Sequence, residues 1–159
     1  VLLITVGITT VMFPRVVALH EQRKPHTRVV IQAMLSVLIL SAMVEIVFYL
    51  APSLITRLLF GRAFVAISGQ LPLYGMAMLL LSIAYTLIVY FLAIGNRTFV
   101  IVVFLACALQ AGLIVWHHAE IAQLVLGVLT ADTALGLALL IAWIVVVYRG
   151  IKPHYFAQP

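Results

Sequence analysis

Apolar residues run along this chain in long stretches, and short polar breaks separate them. A helix needs about 20 mostly apolar residues to cross a hydrocarbon core of roughly 30 Å. Five segments meet that requirement, at about 1–19, 29–51, 69–94, 98–116 and 121–148. The last is long enough to imply tilt or an interfacial end. Between them lie His20 to Arg28, which is polar and carries Pro25, and Pro52 to Ser68, a mixed segment with Arg57, Gly61 and Arg62. Gly95-Asn96-Arg97 and His117-His118-Ala119-Glu120 are tight turns. Short loops make consecutive spans antiparallel, and no loop is long enough to hold a soluble domain. The pattern predicts an all-α integral membrane fold, an antiparallel bundle of about five transmembrane helices forming one domain over 1–159.

Composition strengthens this expectation. Hydrophobic residues make up 66% and charged residues 8%, against roughly 45–50% and about 25% in ordinary globular domains. A soluble fold of this composition would expose large apolar patches and aggregate, so a soluble enzyme is excluded as the expected class. The formal charge of +5 is no nucleic-acid footprint, because basic residues flanking apolar spans are first of all topology signals. Arg15, Arg23, Lys24, Arg28, Arg97, Arg149 and Lys152 fall on one side, and only Arg57 and Arg62 on the other. That bias predicts a first span running inward and a cytoplasmic C-terminus. Trp116, Tyr49 and Tyr148 stand near span ends, as interfacial aromatics do.

Candidate chemistry is sparse. Cys107 lies alone in an apolar run and reads as a small packing residue. His117, His118 and Glu120 supply too few ligands for a metal by themselves, and neither metal nor cofactor is expected. The intramembrane acids stand out, since an unpaired carboxylate in hydrocarbon is costly. Glu45 lies roughly 9 Å inside the Ala51 end of its span, on one face with Ser41 and Tyr49. Asp132 lies roughly 17 Å in from Ile121, with Gly136 one turn later to admit a neighbouring helix. Each acid is either protonated or paired within the bundle, or a binder of a coupling cation or proton, or part of a water-filled lining. In the third span Gly75, Met78, Ser82, Tyr85 and Thr86 share a polar stripe that Tyr90 continues. It serves either helix–helix hydrogen bonding or a substrate cavity. Gly127, Ala131, Ala134, Ala138 and Ala142 form a small-residue seam suited to helix packing.

Three local patterns then line up in order. The first span carries Phe13-Pro14 before a basic loop. The second is followed by Leu58-Leu59-Phe60-Gly61-Arg62-Ala63-Phe64. The third finishes Tyr90-Phe91-Leu92-Ala93-Ile94-Gly95-Asn96-Arg97. Together they resemble the C-terminal half of polysaccharide-biosynthesis flippases, within the multidrug/oligosaccharidyl-lipid/polysaccharide exporter superfamily. The resemblance implies that Pro14, Phe60, Gly61 and Ala93 are structural motif positions. It also implies two six-helix lobes, of which this chain would supply the last five helices of the second. The chain opens on Val1 with no basic leader, so its start is expected to be a cut through a larger protein. The implied function is movement of a lipid-linked glycan across a bacterial-type inner membrane by alternating access. Implied partners are the lipid-linked glycan, the bilayer and an N-terminal lobe, with no nucleic acid. Arg15 and Arg28 at the cytoplasmic surface, and Arg57 and Arg62 outside, are candidate diphosphate contacts or else topology anchors. No Lys or Arg lies deep in any span. An ion-coupled drug exporter of the same fold and a non-transporting membrane assembly subunit are the competing expectations.

Overall fold

The computed structural model describes residues 1–96, 98–116 and 121–151, with the side chains at 98, 116, 121, 122 and 149–151 left aside. Every element among the described residues is helical: α1 (Leu2–Glu21), α2 (Thr27–Leu50), α3 (Pro52–Phe60), a 3₁₀ segment (Arg62–Gln70), α4 (Leu71–Ala93), α5 (Thr98–Trp116) and α6 (Ile121–Ile151). Four stretches are long and apolar enough to cross a membrane: α1, α2, the 3₁₀ segment with α4, and Gln123–Tyr148 of α6. The described part of α5 is apolar but shorter, over Phe99–Val115. In lipid this arrangement leaves few backbone groups unpaired, because a helix satisfies them within itself.

Sequence chemistry sets the helix ends. The chain leaves α2 at Ala51, since the residue before a proline is pushed out of helical geometry. Pro52 then opens α3 at the position where its missing N–H costs nothing. Pro72 does the same in the first turn of α4. α1 closes with a Schellman motif: Lys24 N–H donates to Leu19 O at 2.9 Å and Arg23 N–H to His20 O at 3.0 Å. Arg23 itself takes the left-handed position, at φ 53°. α4 closes in the same way, with Asn96 N–H donating to Phe91 O, Gly95 N–H to Leu92 O, and Gly95 at φ 67°. Pro14 sits inside α1, where it has no N–H to offer the Thr10 carbonyl.

α4 is the centre of the bundle and packs against α1, α2 and α6, while α5 packs against α6. The main core joins Met12 and Val16 of α1, Val30 and Ala33 of α2, Ala84, Leu87, Tyr90 and Phe91 of α4, and Leu135 and Leu139 of α6. These are the later parts of α1 and α4, the middle of α6, with Ala142, Trp143 and Val146 of its later half packed alongside, and the early part of α2. Consecutive spans α1 and α2 are therefore antiparallel, as expected, but α4 runs in the same direction as its neighbours α1 and α6. The core sits toward the end of the bundle that carries the His20 to Arg28 loop. The opposite end is built differently, from the α3 and 3₁₀ hairpin. Pro52 to Ser68 is thus two short helical pieces packed on one another rather than a loop.

The small-residue seam on α6 is only partly a packing surface. A Cβ at Gly127 would rest 3.6 Å from the Leu113 Cβ of α5, in ordinary contact. Ala131 is buried, but Ala134 is exposed. Among the described residues nothing lies within 4 Å of where a Cβ at Gly136 would be, so no described helix uses the approach it permits.

Candidate functional site

Both acids of the long apolar helices, Glu45 of α2 and Asp132 of α6, turn toward the bundle. Asp132 is 2% exposed, and its Oδ2 is buried with no hydrogen-bond partner. Glu45 is partly buried, and its Oε2 is likewise enclosed and unpartnered. Its carboxyl lies over Gly75 of α4, where a Cβ would collide with Oε2 and fall 2.9 Å from both Cδ and the Phe48 ring. Glycine is what lets α2 bring a carboxyl this close to the α4 backbone. One turn earlier on the same face, the Ser41 hydroxyl is also buried without a partner. Buried polar atoms are nearly always paired, so these three orphaned oxygens, with the buried and unpartnered Trp143 Nε1, are the chemically unusual atoms of the bundle. Among the described residues no group of three or more His, Cys, Asp and Glu side chains could hold a metal.

The α4 stripe faces inward. Gly75, Ser82, Thr86 and Tyr90 are buried, with Met78 and Tyr85 half-buried beside them. The hydroxyls are satisfied within their own helix: Ser82 Oγ donates to Met78 O at 2.7 Å, and Thr86 Oγ1 to Ser82 O at 2.9 Å. Thr5 and Thr9 of α1 are buried and bond backward in the same way. Hydroxyls spent on the preceding turn leave little donor capacity for a ligand.

Tyr90 is the exception, because its hydroxyl leaves its own helix. It lies 3.0 Å from Nε2 of His26, at the N-cap of α2. His26 Nδ1 is 3.4 Å from Lys24 O. A carbonyl can only accept, so Nδ1 carries the proton and neutral Nε2 accepts from the Tyr90 hydroxyl. Burial pushes the His26 pKa down; the Lys24 carbonyl opposes this and the nearby His20 ring adds to it. His20 meets His26 edge-on at 5.6 Å, and the ring contacts continue through Tyr90 and Phe91 to Phe99. His26 gave no sign in the sequence beyond being a histidine in a polar loop, since its partner lies 64 positions away.

The far end holds the second polar feature. Arg57 and Arg62 line one hollow of about 610 Å³ together with Ser53, Leu54 and Val65. The corner between them is Gly61, at φ 91° and ψ 173°, a region essentially restricted to glycine. The 3₁₀ winding then eclipses every third side chain. Arg62 and Val65 fall on the arginine hollow, while Phe64, Ile67 and Gln70 fall on a separate cavity of about 320 Å³ that Thr56 and Phe60 of α3 also line. Phe60 stacks obliquely on Phe64 at 6.3 Å.

Arg15 and Arg28 are exposed at the opposite end, on the last turns of α1 and the first turn of α2. The four candidate arginines therefore form two groups at the two ends of the bundle. Pro14 is exposed within α1, and Ala93, the last residue of α4, packs against the core. Cys107 is exposed on α5. Arg97 and the His117, His118 and Glu120 cluster lie outside the described residues. No family model, curated protein or solved structure matches the chain.

Proposed function

We propose that this chain belongs to a membrane transporter that flips a lipid-linked oligosaccharide or polysaccharide precursor between leaflets by alternating access, and that it is no enzyme. The observation that carries the transport class is the pair of intramembrane carboxyls with orphaned oxygens, Glu45 over Gly75 and Asp132 in mid-α6. A bundle that only had to hold itself together gains nothing from them, and intramembrane acids commonly mark translocation paths. The choice of a lipid-linked glycan draws on the order of the three flippase-like motifs. It is supported by cationic side chains at both ends, Arg15 and Arg28 at one and Arg57 and Arg62 at the other, where an anionic diphosphate would arrive and leave. The excess of Lys and Arg on the His20 to Arg28 side supports placing that side in the cytoplasm of a bacterial-type cell, with the protein in its inner membrane. The partners in this reading are the lipid-linked glycan, the bilayer and an N-terminal lobe.

Ion-coupled export of a small molecule is the second reading, and the orphaned oxygens of Glu45 and Asp132 favour it directly. Glycan export in cells lacking their own flippase tests between them. The full-length protein is supplied as wild type, Glu45→Gln and Asp132→Asn, with membrane levels checked. Restored export establishes flipping, and its loss in either variant at normal level makes that acid a working part. No restoration across several sugar types at normal level moves drug export ahead.

A further inference from the structure

We propose that the hairpin of α3 and the 3₁₀ segment is a binding site for the phosphate head of a membrane lipid, with Arg57 and Arg62 as the two cationic arms and Ser53 as a hydroxyl donor beside them. The assignment takes up two arginines of the flippase reading and needs the chain to lie in a membrane, but it holds whether or not a glycan is moved.

The case begins with geometry. Two guanidinium-bearing side chains from different elements are folded into one hollow of about 610 Å³, with no carboxylate among its lining residues. Like charges brought together at a shared surface repel. Here the backbone takes a glycine-only conformation at Gly61 to bring them there. An anion between them turns that repulsion into attraction, and phosphate oxygens match the guanidinium fork in charge and spacing.

The surroundings choose a lipid over a free anion. Leu54, Leu58 and Leu59 of α3 are 63%, 78% and 64% exposed, a ridge of large apolar side chains beside the arginines. Such a two-faced short helix lies in the interface, with its apolar side in the acyl boundary and its cationic side at headgroup depth. Leu54 and Val65 line the arginine hollow itself, so its wall is partly apolar. On the reverse edge of the hairpin, Phe60, Phe64, Ile67, Leu71 and Tyr74 line the apolar cavity of about 320 Å³. A ligand with an anionic head and a hydrocarbon chain meets the arginines and the leucine ridge beside them; inorganic phosphate meets the arginines alone.

The test uses the full-length protein in neutral detergent and reads retained lipid by native mass spectrometry. The probes are dioleoyl phosphatidic acid, farnesyl diphosphate, inorganic diphosphate and oleate. Phosphatidic acid and farnesyl diphosphate are expected to bind, with affinity roughly tenfold weaker for each of Arg57→Gln and Arg62→Gln. Leu54→Ala is expected to weaken farnesyl diphosphate while leaving inorganic diphosphate unchanged. Equal binding by wild type and the double glutamine variant at matched melting temperature overturns the site. Inorganic diphosphate binding as tightly as farnesyl diphosphate overturns the lipid as its source. Oleate binding as tightly overturns the phosphate. Should the double variant misfold, Arg57→Lys with Arg62→Lys keeps the charge but loses the fork, and unchanged binding there overturns the bidentate arrangement.

Discussion

The two ends of this bundle solve the same packing problem in different ways. At the end with the His20 to Arg28 loop, large side chains close the space: Leu87, Tyr90, Phe91 and Leu139 are almost wholly buried, two helices finish in Schellman motifs, and a His26–Tyr90 hydrogen bond ties α2 to α4. At the other end contact is made by absence of bulk, with Gly75 admitting Glu45 and Phe48 and with Gly61 turning the hairpin. That end also holds the arginine hollow and the apolar cavity. Within a membrane, helix association rests on van der Waals fit and interhelical hydrogen bonds rather than on escape from water. The loop end has both, so stability should concentrate there. The hairpin end has the orphaned oxygens of Ser41 and Glu45 and the two hollows, against one orphaned nitrogen, Trp143 Nε1, beside the loop-end core, which suits a region that binds or moves.

Filling Gly75 should break this contrast most strongly. Gly75→Leu is expected to cost about 3 kcal/mol by driving α2 from α4, read as a lower midpoint of denaturant unfolding in micelles. Gly75→Ala should cost much less, because the flexible end of Glu45 can swing away. An alanine as costly as the leucine would mean that neither Glu45 nor the Phe48 ring can move aside. Next comes Gly61→Ala, which forces a Cβ into the φ 91° corner at about 1.5 kcal/mol. It should lower retention of phosphatidic acid as well as stability, and a loss of stability alone would separate the corner from the arginine hollow.

The loop end is sharpened by removing its hydrogen bond. Tyr90→Phe should cost about 1 kcal/mol and leave lipid retention unchanged. His26 lies outside the spans, and burial lowers its pKa below the usual 6.5. The folded protein therefore favours the neutral ring. Its contribution is fully present above the unfolded value and is lost as pH falls through the folded one. Wild-type melting temperature should fall as pH drops below about 6.5, and His26→Gln should flatten that dependence. An identical pH profile in the variant would remove His26 from the linkage. The smallest effect expected is a gain. Arg23 occupies a left-handed position at φ 53°, and Arg23→Gly should stabilise by about 0.5 kcal/mol once glycine's own entropy is counted. Hydrogen exchange at the end of α1 would detect it.

Much of the fold was legible because long apolar runs bounded by polar breaks favour long helices: the five apolar runs became α1, α2, α4, α5 and α6 nearly residue for residue, four of them long and apolar enough to cross a membrane. Pro52 correctly ended α2. The hairpin was not legible, since a 3₁₀ segment of nine residues has the composition of a mixed loop and only its period distinguishes it. Interior polarity was half legible. Glu45 and Asp132 could be placed along their helices, but that Glu45 meets Gly75, and that no described helix approaches Gly136, depends on how helices rotate about their axes. Rotation is a tertiary outcome. Ser82 and Thr86 read as a polar stripe, yet their hydroxyls bond back along α4, which periodicity alone cannot distinguish from a bond across helices.

The winding of the Arg62–Gln70 segment carries one mechanical consequence. Its nine residues reach about 18 Å at 3₁₀ pitch and would reach about 13.5 Å as an α-helix. Rewinding would thus draw α3 toward α4 by about 4.5 Å while turning the strand of side chains through roughly half a revolution. Arg62 would leave its hollow for the far side of the segment, between the edges that Ala63 and Phe64 now occupy. A segment that couples shortening to rotation is a screw, and this one runs without a break into the central helix at Leu71.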